Sequence, residues 1–460
     1  MSHLAETLAD FTSQTTFDTI PAASRERVKY FILDGIGVAL AATRHDFARS
    51  VYSGLSTLAA GDAEVIGMPA RLQMRDAVMM NGTLIHGLDY DDTYMPGNMH
   101  FTSFSLPCAL GVAAWRHMSG RDMLTACTLA MEISARLGAV AQGALIALGF
   151  QPSGTLGAFA CALAAGKLLG LDREQLINAQ GIALSMAAGS MQFAQDQRGP
   201  GTKRIQPGWA AVSGITAATL AQAGFLGPYE AYEGTFGFFP LYMGARVEAC
   251  DYTLATRDLG TVWEVDRNAI KPYPACHFSH AFADAARIIR EKHALQADDV
   301  VRIVARVPEK IVGIVCEPLA NKRRPDSSHG ASFSLPYAIA SAFVRGRYGL
   351  SEMEADAYRD AGVLALAAKV EYEIAPEWRI HASNPGEVTV HTRAGQAYTH
   401  REEINRGAPE RPLSAQEITA KYYANALTAI TQAQAERILG MVMELETNKD
   451  AKLFAAALAA

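Results

Sequence analysis

Hydrophobic positions recur every three or four residues through most of the first 265 residues of the chain. This spacing is typical of helices that bury one face, and it continues for ten or more residues in several places. The predicted helices are Arg25–Ala42, Arg75–Leu88, Ser103–Met118, Gly120–Ile146, Gly154–Leu169, Asp172–Ala188 and Pro207 to about Ala223. Turn residues, such as those from Gly224 to Pro228, separate the helices.

The pattern changes after about Glu264. Val300–Val307 alternates in part between apolar and polar residues, which predicts a strand. A hairpin is predicted where Glu387–Thr392 and Ala397–Glu402 flank the turn sequence Arg393-Ala394-Gly395-Gln396. Helices are predicted between these strands, at Ser279–His293, Ser332–Arg345 and Met353–Ala368. Residues 267–403 therefore indicate a smaller α/β domain.

The C-terminal part of the chain returns to helical spacing. Ser414 and Glu417 form a capping-box pattern at the start of an amphipathic run that continues to Glu446. The apolar face of an amphipathic helix is buried against another part of the protein, so we expect this run to pack back onto the first domain. The predicted fold is mainly α, with a large helical domain from residues 1–266 and 404–460 and an α/β domain from residues 267–403.

Composition supports helices that pack closely. Half of the 460 residues are hydrophobic but only 8% are aromatic, and alanine and glycine are abundant. Small side chains let helices approach one another, which favours a helical core over a large sheet. The formal net charge is −6 and no long basic stretch is present, so nucleic acid is not expected as a partner.

The sequence predicts a cytoplasmic protein without a membrane span. Its six cysteines are scattered and form no C-x-x-C pair, which disfavours structural zinc and disulfides. The first residues are acidic where a signal peptide would be basic. The most apolar region, Met131–Leu169, is interrupted by polar and charged residues, so buried helices explain it better than a membrane span.

The densest polar cluster is His86-Gly87-Leu88-Asp89-Tyr90-Asp91-Asp92-Thr93, followed by His100. Three interpretations stay open from these residues alone. The cluster is a solvated helix end, a divalent-metal site formed by the three aspartates, or a carboxylate–histidine site in which an aspartate orients a histidine. The metal interpretation lacks the alternating spacing of a calcium loop.

A glycine-rich basic segment runs from Arg198 to Gly208 and precedes a predicted helix. Such a loop is a natural pocket for an anion, although its spacing is not that of a Walker A loop. Lys203 could bind a substrate carboxylate or act as a base, and a basic surface turn is the alternative.

The segment from Lys271 to His280 contains a lysine, a cysteine and two histidines between fixed proline positions. A Cys/His metal site does not fit its spacing. A nucleophilic pair of Cys276 and His277 is disfavoured because neighbouring side chains rarely face each other. A hinge followed by a helix start is the remaining interpretation.

Together these segments resemble the MmgE/PrpD family, which includes 2-methylcitrate dehydratases, cis-aconitate decarboxylases and iminodisuccinate epimerase. The resemblance covers nearly the whole chain and rests on the order and spacing of several motifs. These motifs are His86–Thr93, Gly154–Ala158 with Lys167–Leu171, Lys203 before Pro207–Ala211, Gly224–Pro228 with Glu233-Gly234, Lys271–Pro274 and Phe333–Tyr337.

The resemblance implies a helical domain built from both chain ends and a smaller α/β lid domain. It also implies a homodimer that needs no metal or organic cofactor and binds small di- or tricarboxylates between the domains. The family pattern assigns catalytic positions to Asp89, Thr93, His100, Lys203 and Lys271.

The sequence departs from the family pattern in three places. Gln151-Pro152-Ser153 replaces the family's usual His-Pro-Thr, so a histidine that acts as acid, base or substrate ligand is missing. The stretch between Thr93 and His100 is one residue longer than in the decarboxylase-like pattern. Cys276 stands where that pattern has a histidine, and the neighbouring His277 is the residue we expect to be catalytic. Gln151 and Cys276 are then expected to contact the substrate.

The chemistry expected from this resemblance is proton transfer at a carbon next to a carboxylate. Lys203 and Lys271, helped by Arg204, would stabilise an enolate-like dianion. His100, oriented by Asp89, would be the base, and Thr93 would hydrogen-bond the substrate. A lyase acting on a citrate-like acid is the first expectation. An epimerase and a non-catalytic carboxylate-binding protein are the alternatives, and the missing histidine at Gln151 favours the last of these.

Overall fold

The computed structural model describes residues 3–194, 201–378 and 385–459. The chain divides into two compact units. The helical unit comprises Met1–Asn268 and Ser414–Ala460, and the mixed unit comprises Ala269–Leu413. The prediction of a mainly α fold with a small α/β part is confirmed.

The first segment of the helical unit is a succession of helices joined by short turns. A two-stranded antiparallel hairpin, β1 (Ala63–Glu64) with β2 (Arg71–Leu72), interrupts them. The helices are α1 Leu4–Gln14, α2 Ala22–Ala42, α3 Asp46–Leu55, α4 Met74–His86, α5 Thr102–Trp115, α6 Gly120–Val140, α7 Ala144–Ala147, α8 Pro152–Leu169, α9 Arg173–Leu184, α10 Gln206–Gln222, α11 Phe238–Met243 and α12 Thr253–Thr256.

Small residues let the central helices α8 and α10 pack closely. A Cβ added to Gly214 of α10 would lie 2.4 Å from the Cβ of Cys161 in α8, closer than any side chain tolerates. Helix α6 is long and apolar enough to cross a membrane, but 94% of its most apolar 18-residue stretch is buried inside the protein. It is therefore a core helix of this unit.

The described residues of the mixed unit, which omit 379–384, form one four-stranded sheet and six helices. The strand order is β4 (Val370–Ile374), β3 (Val300–Val307), β5 (Gly386–Thr392) and β6 (Ala397–Glu402). β3 pairs parallel with β4 and antiparallel with β5, and β5 pairs antiparallel with β6. The helices are α13 His280–His293, α14 Leu319–Arg323, α15 Ser328–Ser332, α16 Leu335–Arg345, α17 Ala355–Tyr358 and α18 Ala361–Ala367.

The C-terminal segment returns to the helical unit. It forms α19 Ala415–Ala426, α20 Gln432–Met443 and α21 Ala451–Leu458. The predicted capping box is present, since Ser414 Oγ accepts a hydrogen bond from Glu417 N and the Glu417 carboxylate accepts one from Ser414 N. Helix α19 packs on α2, which closes the unit from both parts of the chain.

Two local predictions are wrong, and one strand was missed. The helix expected from Gly120 to Ile146 ends at Val140, because the chain turns through Gln142 and Gly143, which both have positive φ. The helix expected at 353–368 is broken, and Asp360 starts a new helix by accepting a hydrogen bond from Val363 N. Strand β4 was not expected, although Val370–Ile374 alternates apolar and acidic residues.

Candidate active site

The segment that follows α4 forms the core of the candidate site in the helical unit. Helix α4 ends at His86, and Asp89 takes a left-handed backbone conformation with φ of 51°. That conformation is uncommon for a residue with a side chain, and it turns the chain sharply. The turn brings the run Asp89–Asp92 into a buried position, so the solvated-helix-end interpretation is wrong.

Asp89 forms an ion pair with Lys203. Asp89 Oδ1 lies 2.5 Å from Lys203 Nζ, and only 12% and 14% of the two side chains are exposed. Lys203 lies in a 3-10 turn, Gly201–Ile205, that leads into α10. Arg198, Gly199 and Pro200 of the predicted basic loop lie outside the described residues.

Arg204 is the second cation beside this aspartate. Its Nε donates to the carbonyl oxygen of Gly87 at 2.9 Å, and its guanidinium lies 4.4 Å from the centre of the Phe47 ring. Burial lowers the pKa of Arg204, while the negative charge of Asp89 raises it. Two cations and one carboxylate therefore lie together in partly shielded surroundings, where charge interactions are stronger than in water.

Asp91 lies between two histidines. His86 Nδ1 is 2.8 Å from Asp91 Oδ2, and both side chains are fully buried. His100 Nδ1 lies 3.7 Å from the other oxygen of Asp91. Because a carboxylate only accepts hydrogen bonds, His86 Nδ1 carries a proton.

The tautomer of His100 follows from its neighbours. Its Nδ1 lies 2.8 Å from the carbonyl oxygen of Asp92, which can only accept, so Nδ1 carries a proton. The hydroxyl of Thr93 is 3.5 Å from the same nitrogen. In the neutral ring, Nε2 is then the nitrogen that can take up a proton. Asp89 was expected to orient His100, and that role remains a prediction.

Asp92 has a structural role, because its carboxylate holds neighbouring segments together by hydrogen bonds. Its carboxylate accepts hydrogen bonds from Phe101 N, Thr102 N and Asn268 Nδ2 at 2.7, 2.9 and 2.8 Å. The first two lie at the start of α5, so Asp92 accepts from buried amides that have no acceptor within that helix. Burial raises the pKa of the Asp92 carboxyl, and the nearby charge of Asp91 raises it further.

The three aspartates have different partners, which does not favour one metal held by all three. A different set, His86, Asp91 and His100, has ligand atoms within 4.8 Å of one another. Two ligands of one zinc ion, at about 2.1 Å each, are at most about 4.2 Å apart, so this set would have to contract to bind an ion.

Gln151 is the N-cap of α8. Its Oε1 accepts a hydrogen bond from Ser153 N at 2.7 Å, and its side chain is buried. Ser153 Oγ in turn accepts the backbone N–H of His100 at 2.8 Å. The segment that departs from the family pattern is therefore in direct contact with the backbone of the candidate base.

The predicted residues of the mixed unit have buried side chains. Lys271, Cys276 and His277 are all less than 9% exposed. His277 Nε2 lies 2.5 Å from Asn405 Nδ2, and the His277 ring stacks on His280 with 4.8 Å between centres. An amide nitrogen donates, so Nε2 of His277 accepts and its proton sits on Nδ1.

Sequence patterns did not point to Asn268 or Asn405. Neither residue belongs to a motif that the sequence analysis identified. Asn268 supports Asp92 and Asn405 orients His277. Only the fold reveals these roles, since 176 and 128 residues separate the partners.

Comparison with known proteins gives matches along nearly the whole chain. Residues 6–249 match the MmgE/PrpD N-terminal domain, and residues 273–447 match the MmgE/PrpD C-terminal domain. The cis-aconitate decarboxylase of Mus musculus is 28% identical over 446 residues, which cover 92% of this chain and 87% of that protein. That of Homo sapiens is 29% identical over 92% of this chain and 88% of its own length. That of Aspergillus terreus is 27% identical over 98% of this chain and 94% of its own length.

Proposed function

The chain belongs to the MmgE/PrpD family, and from this membership we propose that it is a lyase of small di- or tricarboxylates that needs no cofactor. The proposed reaction moves a proton at a carbon next to a carboxylate. The observation that carries the proposal is the shielded ion pair of Lys203 and Asp89, with Arg204 beside it. Fixed cations of this kind stabilise the dianion that such a reaction forms.

Decarboxylation of a cis-aconitate-like acid is the preferred reaction, because the relatives of similar length are cis-aconitate decarboxylases. The bond between a carboxylate and its carbon breaks, and CO2 leaves. The electron pair stays on the substrate as an enolate-like dianion that Lys203 stabilises. His100 in its protonated form then gives the Nε2 proton to carbon, and Thr93 hydrogen-bonds the substrate.

The same groups could run a dehydration. His100 would then remove a proton next to a carboxylate, and the hydroxyl would leave as water with a second proton given by the protonated form of His277. Lys271 and His277 keep the roles that the family pattern predicts for them, a second cation and an acid–base group. Gln151 and Cys276 are proposed substrate contacts.

An epimerase is the second candidate, and Gln151 is the observation that weakens the decarboxylase and the dehydratase relative to it. The family's histidine at this position is absent, and the Gln151 side chain caps α8 instead. An epimerase needs a proton donor and acceptor on opposite faces of one carbon, and it can do without a group for CO2 or hydroxide loss. A carboxylate-binding protein without turnover would share the same cations.

Proton exchange in D2O tests these proposals together. The protein is incubated with 2-methylcitrate, cis-aconitate, iminodisuccinate and a wider panel of di- and tricarboxylates, and NMR follows deuterium uptake and product formation. Product with incorporated deuterium supports the lyase, and exchange with inversion but without another product supports the epimerase. Tight binding without exchange of any acid would instead support the non-catalytic protein.

The proposed independence from metals has its own test. Turnover should survive exhaustive chelation, because Asp91 and the two histidines are already engaged with one another. Loss of turnover that added zinc or magnesium restores would contradict the proposal.

A cytoplasmic homodimer is proposed as well. The helical unit exposes Phe225, Leu226 and Phe236 to 61, 75 and 80%. Large apolar side chains this exposed are common at protein interfaces, and light scattering after size exclusion would give the mass directly.

A further inference from the structure

Lys421 of α19 reaches the backbone of the candidate site. Its Nζ donates to the carbonyl oxygen of Tyr90 at 2.8 Å and lies 3.8 Å from the centre of the Tyr90 ring. Tyr90 follows Asp89 directly. The side chain of Lys421 is only 6% exposed, so this contact takes place inside the helical unit.

Asp34 of α2 holds Lys421 in this position. Its Oδ1 and Oδ2 lie 2.7 and 3.0 Å from Lys421 Nζ, and 1% of the Asp34 side chain is exposed. The ammonium is thus fixed between a carboxylate from one helix and a peptide carbonyl from the candidate site.

A buried ion pair usually adds little to the net stability of a protein. Removing both charges from water costs several kcal/mol, and apolar side chains of similar volume often stabilise a core as well or better. The pair of Asp34 and Lys421 does, however, fix the position of the Tyr90 carbonyl group. The carbonyl of Tyr90 belongs to a turn whose preceding residue, Asp89, has a φ of 51° that the surroundings must maintain.

The neighbouring residues of the turn are held by other elements. Asp89 contacts Lys203, Asp91 contacts His86 at the end of α4, and Asp92 contacts the start of α5. Lys421 supplies a contact to Tyr90, the residue between Asp89 and Asp91. The backbone between two functional carboxylates is therefore fixed by a side chain from the C-terminal segment.

We propose that Lys421, held by Asp34, is a positioning residue that sets where Asp89 meets Lys203. The proposal rests on the proposed function for the chemistry of the Asp89–Lys203 pair. Lys421 itself has no assigned contact with the substrate. Its removal lets the turn shift, and a shift of about 1 Å at reacting groups costs about a hundredfold in rate.

The chain offers a matched control in Lys29. Its Nζ donates to the carbonyl oxygen of Met443 at 2.8 Å and forms a 2.8 Å ion pair with Glu446, and its side chain is also 6% exposed. Lys29 therefore reproduces the burial and the carbonyl acceptor of Lys421 in the same unit, with a carboxylate partner that is 33% exposed. Its partners Met443 and Glu446 are not residues of the candidate site.

The experiment compares Lys421→Met, the double variant Asp34→Asn/Lys421→Met, and Lys29→Met with the wild type. Urea unfolding measures stability, and kcat and KM are measured with the acid that the wild type turns over. The double variant leaves no uncompensated charge in place of the pair, so we expect it to regain stability relative to Lys421→Met. We expect kcat to stay about a hundredfold low in both Lys421 variants and near the wild-type value in Lys29→Met.

Recovery of kcat in the double variant would overturn the proposal, because stability alone would then explain the loss. An equal loss of kcat in Lys29→Met would overturn it too. Rescue of kcat by Lys421→Arg, which keeps a donor for the Tyr90 carbonyl, would support it.

A second measurement does not need turnover. Acetic anhydride modifies lysines at a rate that depends on their exposure and pairing, and peptide mass spectrometry gives the rate at Lys203. We expect this rate to change at least about tenfold in Lys421→Met and to stay unchanged in Lys29→Met. If the wild type converts no acid, the proposed function fails. The acetylation rate of Lys203 still tests the positioning role of Lys421 in that case. An unchanged rate in Lys421→Met would overturn that role.

Discussion

Lys203 Nζ lies 2.5 Å from Asp89 Oδ1, although 114 residues separate the two in the sequence. One lies in the turn before α10 and the other in the turn after α4. The pair joins the two segments that the sequence predicted separately as an anion pocket and as a polar cluster.

Replacing Lys203 by alanine should lower kcat by about a hundredfold to a thousandfold. The cation that stabilises developing negative charge is lost, while the helices around it keep their packing. Turnover of the best acid from the exchange panel, together with circular dichroism, measures both effects. Lys167→Ala is the control, since Lys167 Nζ bonds the carbonyl of Ser13 at the other end of α8. Near wild-type turnover in Lys203→Ala would remove Lys203 from the mechanism.

Replacing His100 by alanine should abolish turnover but leave substrate binding within a fewfold of wild type. The ring supplies the proton at Nε2, and its Nδ1 is already committed to the carbonyl of Asp92. Calorimetric titration with the substrate separates binding from chemistry. His117→Ala is the matched control, because His117 is an exposed histidine that also pairs with an aspartate, Asp450. Turnover that persists in His100→Ala would assign the base elsewhere.

Restoring the family's histidine at position 151 should raise the decarboxylation rate. Gln151→His places an imidazole beside the segment that contacts His100, and a well-placed acid–base group contributes about a hundredfold or more. The loss of the cap on α8 should cost about 1 kcal/mol. Gln151→Ala loses the same cap without gaining an imidazole, so it isolates the chemical effect. Equal rates in the two variants would show that position 151 does not limit the reaction.

The stability of the protein should depend on the charge of Asp34. Burial raises the pKa of this carboxyl from 3.8 to about 6, although Lys421 opposes the shift and Asp92 and Asp91 add to it. A group with a raised folded pKa stabilises the fold fully below its unfolded pKa and loses that contribution as the pH rises through the folded value.

The measurement compares urea unfolding of the wild type and Asp34→Asn from pH 4 to pH 7. The wild type should lose up to about 3 kcal/mol relative to the variant over this range, since one pKa unit corresponds to about 1.4 kcal/mol. Asn cannot titrate, so the variant removes this source of pH dependence. A difference that stays flat between pH 4 and pH 7 would show that Asp34 has an ordinary pKa in the folded protein.

The sequence predicted the helices best where an apolar face repeats over many turns. Helices α8 and α13 lie within two residues of their expected bounds. Strand β4 was missed because it has only five residues, mostly solvent-facing, and it follows a helical run directly. Short elements depend on their partners in the sheet more than on their own pattern.

The sequence also located the polar cluster but not its internal pairing. His86, Asp89, Asp91 and Asp92 are close in sequence, yet each has a partner that depends on how the chain turns. Lys421 and Asp34 carry no local signal, because a lone charge on an amphipathic helix usually faces solvent. The two residues meet where α19 packs on α2, and both side chains are buried there.

The order in which the chain is made gives the contact between Lys421 and Tyr90 a further consequence. A ribosome synthesises Tyr90 first and Lys421 only 331 residues later, after the whole mixed unit. Domains generally fold as units during synthesis. The mixed unit can therefore fold on the ribosome while the helical unit still lacks α19. A chain that ends within the mixed unit lacks the contact between Lys421 and Tyr90, and if Lys421 positions the turn as proposed, such a chain would hold Asp89 less firmly.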